Sequence, residues 1–419
     1  MSMSSVTEVA IIGAGPYGLS LASHLLARGV GVRIFGHPMQ TWRESMPIGM
    51  KLKSEGFASN LSDPRREFTL ETYCSKTNIA YANTGLPVKV DTFVSYGEAF
   101  QRRFIPDLER KMVVSVEAAQ HGFDLRLETE EVVAARRVVV ASGIRSFDCV
   151  PMELRNLPRE LLTHSAAYGD AQHLSGQDVI VIGAGASAMD VAALLRTRGA
   201  NVKVMTRRQS IHFQSPLGER SVYEKVTAPM TPLGPGWKSV FCVWAPMVFH
   251  AMPEAFRVDV VRRYLGPGPA WFVREQVEGH IPYVTGATVV EASARAGRAR
   301  LLIREAEGQA REVLADHVVA ATGYRVDLDR LTFLGERIRS SVRRASGAPV
   351  LSRNFESSVP GLYFVGTASA NSFGPMMRFA HGAGYTSRRL SRYLATHPAQ
   401  NVALAANLST SREPHRQLQ

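Results

Sequence analysis

Residues 6–18 read Val-Thr-Glu-Val-Ala-Ile-Ile-Gly13-Ala-Gly15-Pro16-Tyr17-Gly18, and residues 179–188 read Val-Ile-Val-Ile-Gly183-Ala-Gly185-Ala-Ser187-Ala188. Each is a β-rich apolar run delivered straight into a glycine turn, followed by an apolar helical stretch. In such a turn the first glycine, Gly13 or Gly183, permits the tight strand-to-helix bend. The second, Gly15 or Gly185, lets a pyrophosphate approach the backbone. Gly18, with Ala188 as its counterpart, lets helix and strand pack closely. The free N–H groups and positive dipole end of the helix then face the phosphates.

Working outward, the same order of elements recurs. Residues 30–35 and 201–205 read as second strands, and 112–116, 123–127, 288–292 and 300–304 as short meander strands. The first repeat closes on Val138-Val-Val-Ala141-Ser142-Gly143 and the second on Val318-Val-Ala-Ala-Thr322-Gly323-Tyr324. An ordered duplication of this kind is far more specific than either glycine motif alone. It predicts an α/β chain with two Rossmann-like dinucleotide-binding units.

The units should hold different nucleotides. After the second strand of the second repeat stand Arg207 and Arg208, where an acidic residue would select the ribose 2′-hydroxyl of NAD. Guanidinium groups there suit the 2′-phosphate of NADPH. The first repeat has Gly36 in that place, so another side chain must supply any ribose contact.

At 419 residues the chain is long enough for two or three interlocked units, and its 45% apolar content is ordinary for a folded protein. The net charge of +12 comes from 41 Arg against 8 Lys, spread along the chain without a run, a zinc-finger spacing or an RNA-binding signature. This excludes nucleic acid as the expected partner. Cys74, Cys149 and Cys242 form no CxxC pair or metal-ligand cluster, which predicts no metal and a reduced, cytoplasmic setting. The N-terminus has no signal-peptide pattern, and the longest apolar stretch, residues 240–252, is too short for a transmembrane span.

These residues resemble the two-dinucleotide-binding-domain flavoproteins, and within them the NADPH-dependent class B flavin monooxygenases: flavin-containing monooxygenases, amine N-hydroxylases and Baeyer–Villiger enzymes. The resemblance covers residues 6–394. It includes His164-Ser-Ala-Ala-Tyr168, similar to the family's interdomain linker, but Pro158 and Glu160 stand where the Baeyer–Villiger fingerprint has Phe and Gly. Trp42 sits where members carry a Gly-Gly-x-Trp turn. Residues 51–61, with Lys51, Lys53, Ser54 and Asn60, resemble the segment lining the isoalloxazine. Gly366, Phe373, Gly374, Met376 and Arg378 fall in the last strand of the FAD unit and the approach to a helix that would face the flavin's pyrimidine edge.

The resemblance implies FAD and NADPH as cofactors, a discontinuous FAD domain over residues 1–165 and 316–400, and an NADPH domain over 166–315. Residues 401–419 read as a mobile tail. An aromatic- and proline-rich insertion at 211–282, with Trp237, Trp244, Phe249 and Trp271, reads as a lid, a homo-oligomer interface or a weak membrane contact. The implied activity is monooxygenation of a small organic substrate with O2 through a C4a-(hydro)peroxyflavin, at nitrogen or sulfur rather than by Baeyer–Villiger insertion. Lys53, Ser54 and Asn60 are its expected catalytic residues. An NADPH-dependent flavin reductase or dehydrogenase is the alternative. A redox-inactive nucleotide sensor is a weaker one, and a disulfide reductase would need a cysteine pair that is absent.

Overall fold

The computed structural model describes residues 6–167, 172–215, 221–264 and 268–399. Strand β1 (Thr7–Ile12) runs into helix α1 (Pro16–Leu26) and returns through β2 (Val32–Phe35). Helix α2 (Val90–Phe104) precedes a meander of β3 (Val113–Ala119), β4 (Gly122–Leu127) and β5 (Val132–Val140). The second unit opens with β6 (Leu162–His164), β7 (Asp178–Ile182), helix α3 (Ala186–Thr197) and β8 (Asn201–Met205).

The insertion is helical: α4 (Val222–Thr227), α5 (Trp237–Trp244), α6 (Pro246–Ala251), α7 (Glu254–Arg263) and α8 (Trp271–Val277). Strands β9 (Tyr283–Val284), β10 (Thr288–Arg295), β11 (Arg298–Arg304), β12 (Ala310–Ala315) and β13 (His317–Ala320) follow. The chain then returns to the first sheet with β14 (Leu362–Phe364) and ends its described part in helix α9 (Gly382–Thr396).

The two sheets are built alike. In the first, β1 lies between β2 and β5, parallel to both. Beyond β5 the antiparallel β4 takes its first half and the parallel β14 its last residues. In the second, β7 lies between β8 and β13, again parallel to both. Val138, Val139 and Val140 are buried, as a parallel strand covered on both faces requires. β6 and β13 pair with one another beside β7, so the second sheet reaches past the borders expected at residues 165 and 316.

The turns match in detail. Gly13 N–H donates to Phe35 O and Gly183 N–H to Met205 O, both at 2.9 Å. Ala141 N–H donates to Ile12 O at 2.8 Å, and Ala321 N–H to Ile182 O at 2.9 Å. Gly15 and Gly185 cap their helices in nearly the same extended conformation, φ −86°, ψ −172° and φ −91°, ψ −179°.

The units are tied by backbone. The segment leaving Gly143 pairs with the one leaving Gly323: Cys149 N–H donates to Gly323 O at 2.9 Å and Arg325 N–H to Phe147 O at 2.7 Å. The insertion serves both sides. Val243, Phe249 and Val261 from α5, α6 and α7 join the core of the first unit, while Val273 and Val277 of α8 pack against α3.

A Cβ on Gly18 would lie 1.9 Å from Gly13 O, whereas the second unit already accommodates a methyl at the matching Ala188, which is fully buried. Gly18→Ala is therefore expected to destabilise the chain by about 1–3 kcal/mol in chemical denaturation. Ala188→Gly should cost about 1–2 kcal/mol, from helix propensity and the lost buried methyl together. A Gly18→Ala protein as stable as the parent would disprove the close contact.

Candidate functional site

Each glycine turn combines one closed and one open position. A Cβ on Gly13 would stand 2.3 Å from Ala141 O, and one on Gly183 2.3 Å from Ala321 O. At Gly15 and Gly185 it would meet nothing within 4 Å. The closed glycines let the strand end that carries Ala141-Ser142-Gly143 or Ala321-Thr322-Gly323 press against the turn. The open ones leave a bare approach to the first N–H groups of α1 and α3, the arrangement that binds pyrophosphate. Gly143 (φ +70°) and Gly323 (φ +84°) both turn left-handed at the rim of this crevice.

The ends of the second strands differ as the sequence suggests. Gly36 has φ +124°, and a Cβ there would come within 3.4 Å of Ala14 N, so the first crevice has bare backbone at this point. In the second, buried Thr206 accepts the Arg208 N–H at 3.1 Å on its hydroxyl. Arg207 and Arg208 are exposed, and among the described residues neither forms an ion pair.

Several other expected residues are occupied with packing. The Tyr17 hydroxyl donates to Met377 O at 3.0 Å and Phe379 O at 2.9 Å, clamping the first turn of α1 to the approach to α9. Burial pushes that hydroxyl's pKa well above its ordinary value. Gly366 passes the Tyr17 ring so closely that a Cβ would touch it at 3.4 Å. Trp42 packs edge-on against Phe93 at 4.8 Å. Phe373 stacks on Phe355 at 4.0 Å, Met376 is buried, and a Cβ on Gly374 would touch Phe249 of the insertion at 3.4 Å. Arg378 has no carboxylate partner among the described residues, and desolvation holds its pKa below the ordinary value.

The segment at residues 51–60 meets the second unit through Lys53. Its ammonium donates to Asp190 Oδ1 on α3 at 2.7 Å and to Lys51 O at 2.9 Å, with both ion-pair side chains only 7% exposed. Burial works against both charges, lowering the Lys53 pKa and raising that of Asp190, while each partner's attraction opposes the shift. Phe272 of α8 presents its ring to both ammonium groups, 5.1 Å from Lys53 and 5.5 Å from Lys51. Trp271 meets Phe272 edge-on at 5.5 Å. Beside them a cleft of about 230 Å³ opens between the units, lined by Met50, Lys51, Asp190, Leu194, Phe272 and Gln276 among others.

Asn60 is spent on its own loop: its amide donates to Phe57 O at 2.9 Å and its carbonyl oxygen accepts from Leu70 N–H at 2.7 Å. Ser54 is half-buried on the same segment, and Ser187 half-buried in the first turn of α3. Thr322 donates its hydroxyl to Cys149 O. Cys74, Cys149 and Cys242 are free thiols. Tyr168, Gly266 and the tail at 401–419 lie outside the described residues.

Sequence reasoning missed Asp190 and Phe272. Asp190 did leave a signal: it is a single acid inside the otherwise apolar stretch Ala-Ser-Ala-Met-Asp-Val-Ala-Ala-Leu-Leu. Phe272 is one aromatic among many in the insertion, and its contact with Lys53 exists only across the fold.

Two sheets with parallel β2–β1–β5 and β8–β7–β13 cores, each with an open glycine crevice at its carboxyl edge, define a protein with two dinucleotide-binding units. The chain belongs to the pyridine nucleotide-disulphide oxidoreductase family, whose model matches residues 10–224. It is 30% identical over 215 residues to indole-3-pyruvate monooxygenase YUCCA1 of Oryza sativa subsp. japonica, with 48% of each chain covered. Over 210 residues it is 29% identical to senecionine N-oxygenase of Tyria jacobaeae, covering 46% of this chain and 45% of that one. The matched segment thus spans about half the length of these curated relatives. Among solved structures, the ornithine N-hydroxylase of Kutzneria sp. 744 shares the fold with a TM-score of 0.72 at 17% identity, over 94% of this chain and 99% of that one.

Removing one partner of a buried ion pair leaves an uncompensated charge. Asp190→Ala is expected to lower stability by about 3–5 kcal/mol, and the Lys53→Met/Asp190→Leu double variant to recover most of that loss. Denaturation of the parent, Asp190→Ala and the double variant checks both. A loss below about 0.5 kcal/mol in Asp190→Ala would mean the pair is solvated.

Proposed function

We propose that this protein is an FAD- and NADPH-dependent monooxygenase that places one oxygen atom of O2 on a small organic nucleophile, with nitrogen favoured. The observation that carries this reading is the paired crevice. One has a bare glycine rim and belongs to the sheet completed by β14; the other is rimmed by two exposed arginines that form no ion pair among the described residues. The relatives supply support of the same kind. Two are named as monooxygenase and N-oxygenase, and the Kutzneria structure was solved with reduced FAD, NADP+ and L-ornithine.

The residues present fit these groups. The open Gly15 and the first N–H groups of α1 would hold the FAD pyrophosphate, and Gly185 with α3 that of NADPH. Arg207 and Arg208 would take the 2′-phosphate. When bound, FAD accepts hydride from NADPH and supplies the activation of O2, chemistry that belongs to the cofactor.

The remaining tasks fall to this chain. Arg378 and the N-terminus of α9 offer positive potential for negative charge on a reduced ring. The Lys53–Asp190 pair holds the 51–60 segment against the second unit, and Phe272 with Trp271 excludes water from its outer side. Ser54 is the hydroxyl of that segment proposed to meet substrate. The domain division at residues 1–165, 166–315 and 316–400 belongs to this proposal, adjusted by the sheet pairing of β6 and β13. So does a cytoplasmic setting, which suits three free thiols.

Purified protein is expected to be yellow and to release FAD on heating. Gly15→Ala should fold normally, since its Cβ meets nothing and φ is −86°, yet retain far less FAD. Flavin content per chain and the melting temperature without added nucleotide separate these two effects. Colourless protein that takes up no added FAD would sink the reading.

Replacing Arg207 and Arg208 together by Ala should cut the preference for NADPH over NADH by about ten- to hundredfold, the worth of charge-assisted phosphate contacts. The ratio of kcat/KM for the two coenzymes is the measurement, and an unchanged ratio would make the arginines surface charge.

Oxygen transfer itself is tested by balancing NADPH and O2 consumed against products formed with primary amines and thioethers. Accumulation of hydroxylamine, N-oxide or sulfoxide, with hydrogen peroxide a minor product, is expected. Peroxide accounting for all NADPH with every nucleophile would replace this reading with an NADPH-dependent flavin oxidoreductase.

A further inference from the structure

The richest unassigned cluster of charge lies away from both crevices. Helices α1 and α9 run side by side in the same direction: Tyr17 reaches the approach to α9, and at the far end Arg28 Nε donates to Ser391 Oγ at 3.1 Å. Between those far ends and the loop after Ser62 opens a cleft of about 260 Å³. Its charged lining is Arg28, Arg66, Arg388 and Arg392, with Asp63 as the single acid and His24 at its base.

Three features set this cleft apart from an ordinary solvated basic face. First, many arginines of this chain pair with carboxylates, as Arg33 does with Glu109 and Arg300 with Glu312. Among the described residues none of these four does. Second, Asp63 is committed elsewhere: its carboxylate accepts the backbone N–H groups of Arg65, Glu67 and Phe68, each at 3.1 Å. Third, the loop so tied holds Arg66 in the left-handed region, φ +58°, a conformation that costs a residue with a side chain and persists only where surroundings impose it. Burial and, after it, the nearby Arg66 hold the Arg388 pKa below its ordinary value. Burial first, and then Arg388 and Arg28, push the His24 pKa down to about 4, so this imidazole adds no compensating or extra charge at neutral pH. Its Nε2 lies 3.0 Å from Ser62 Oγ.

We infer that this cleft is a binding site for a soluble, multiply charged phosphate compound, distinct from the two dinucleotide crevices. Four arginines line this one recess, and guanidinium groups are the side chains best suited to charge-assisted hydrogen bonds with phosphate oxygens, so an anion there offsets the repulsion among them. The ligand would join the far ends of α1 and α9. The near ends of the same helices flank the Gly13–Gly18 turn and Tyr17, so occupancy would stiffen the frame of the first crevice. This inference does not depend on the redox reading.

The test uses the full chain with FAD and NADP+ saturating, so that the other phosphate cradles are filled, and inorganic pyrophosphate as the probe at constant ionic strength. Calorimetry should show one saturable site, and the melting temperature should rise with pyrophosphate but not with an equal ionic strength of chloride. The Arg66→Gln/Arg388→Gln variant should lose at least about tenfold in affinity while keeping the parent's far-ultraviolet dichroism. Arg392→Gln, a single change at an exposed position, should weaken binding in the same direction if the double variant does not fold. Absence of saturable binding to the parent chain, or parental affinity in a folded variant, would overturn the inference.

Discussion

A backbone carbonyl stands where a side chain would otherwise be. Ala141 O approaches Gly13, and Ala321 O approaches Gly183, so closely that a Cβ on either glycine would lie 2.3 Å away. Everything else about the crevices depends on that contact. It brings the end of β5 or β13 against the turn and sets the left-handed glycine behind it. It also leaves the next glycine open at the mouth of the helix. A methyl at residue 13 or 183 would push the strand end away and close the approach to the helix N–H groups. The identical treatment of both units, down to matching cap dihedrals, is what a duplicated cradle requires and coincidence does not supply.

Two cradles serve a common reaction only if they are held in register. The structure does this with backbone and with charge. The segments leaving Gly143 and Gly323 pair with each other, which fixes the two strand ends. The Lys53–Asp190 pair then joins a loop of the first unit to the helix that begins at the second cradle. Such a pair adds little net stability, because desolvation offsets most of the attraction, but it is strongly selective for the arrangement in which both charges are matched. It is better suited to fixing one relative placement of the units than to strengthening the fold.

The insertion has a comparable double attachment. Its middle helices are absorbed into the first core through Val243, Phe249 and Val261, while α8 lies on α3. The segment that reads as a lid is therefore anchored through its middle and its last helix. Phe272 and Trp271 sit at the seam, and Trp237 and Trp244 remain 62% and 71% exposed on the outer face. The lid, interface and membrane readings of that outer face all depend on what meets those two indoles, a property of a partner rather than of this fold.

Strand, glycine turn, helix and second strand are dictated locally, by β-branched runs, by glycines where a side chain would clash, and by apolar helical spacing. All were therefore legible in the sequence twice over, as was the contrast between Gly36 and Arg207-Arg208, which lies just past the second strand of each unit. Tertiary structure alone decided which polar groups stay available. Asn60 and Tyr17 read as site residues, yet their polar atoms are held by Phe57, Leu70, Met377 and Phe379. The partner of Lys53 is Asp190, 137 positions away. Hydrogen-bond partners and ion pairs at that separation are set by how two sheets and an insertion pack, and no local pattern carries that information. The same holds for the four arginines of the α1–α9 cleft, which come from three separate segments and become a single site only when those segments meet.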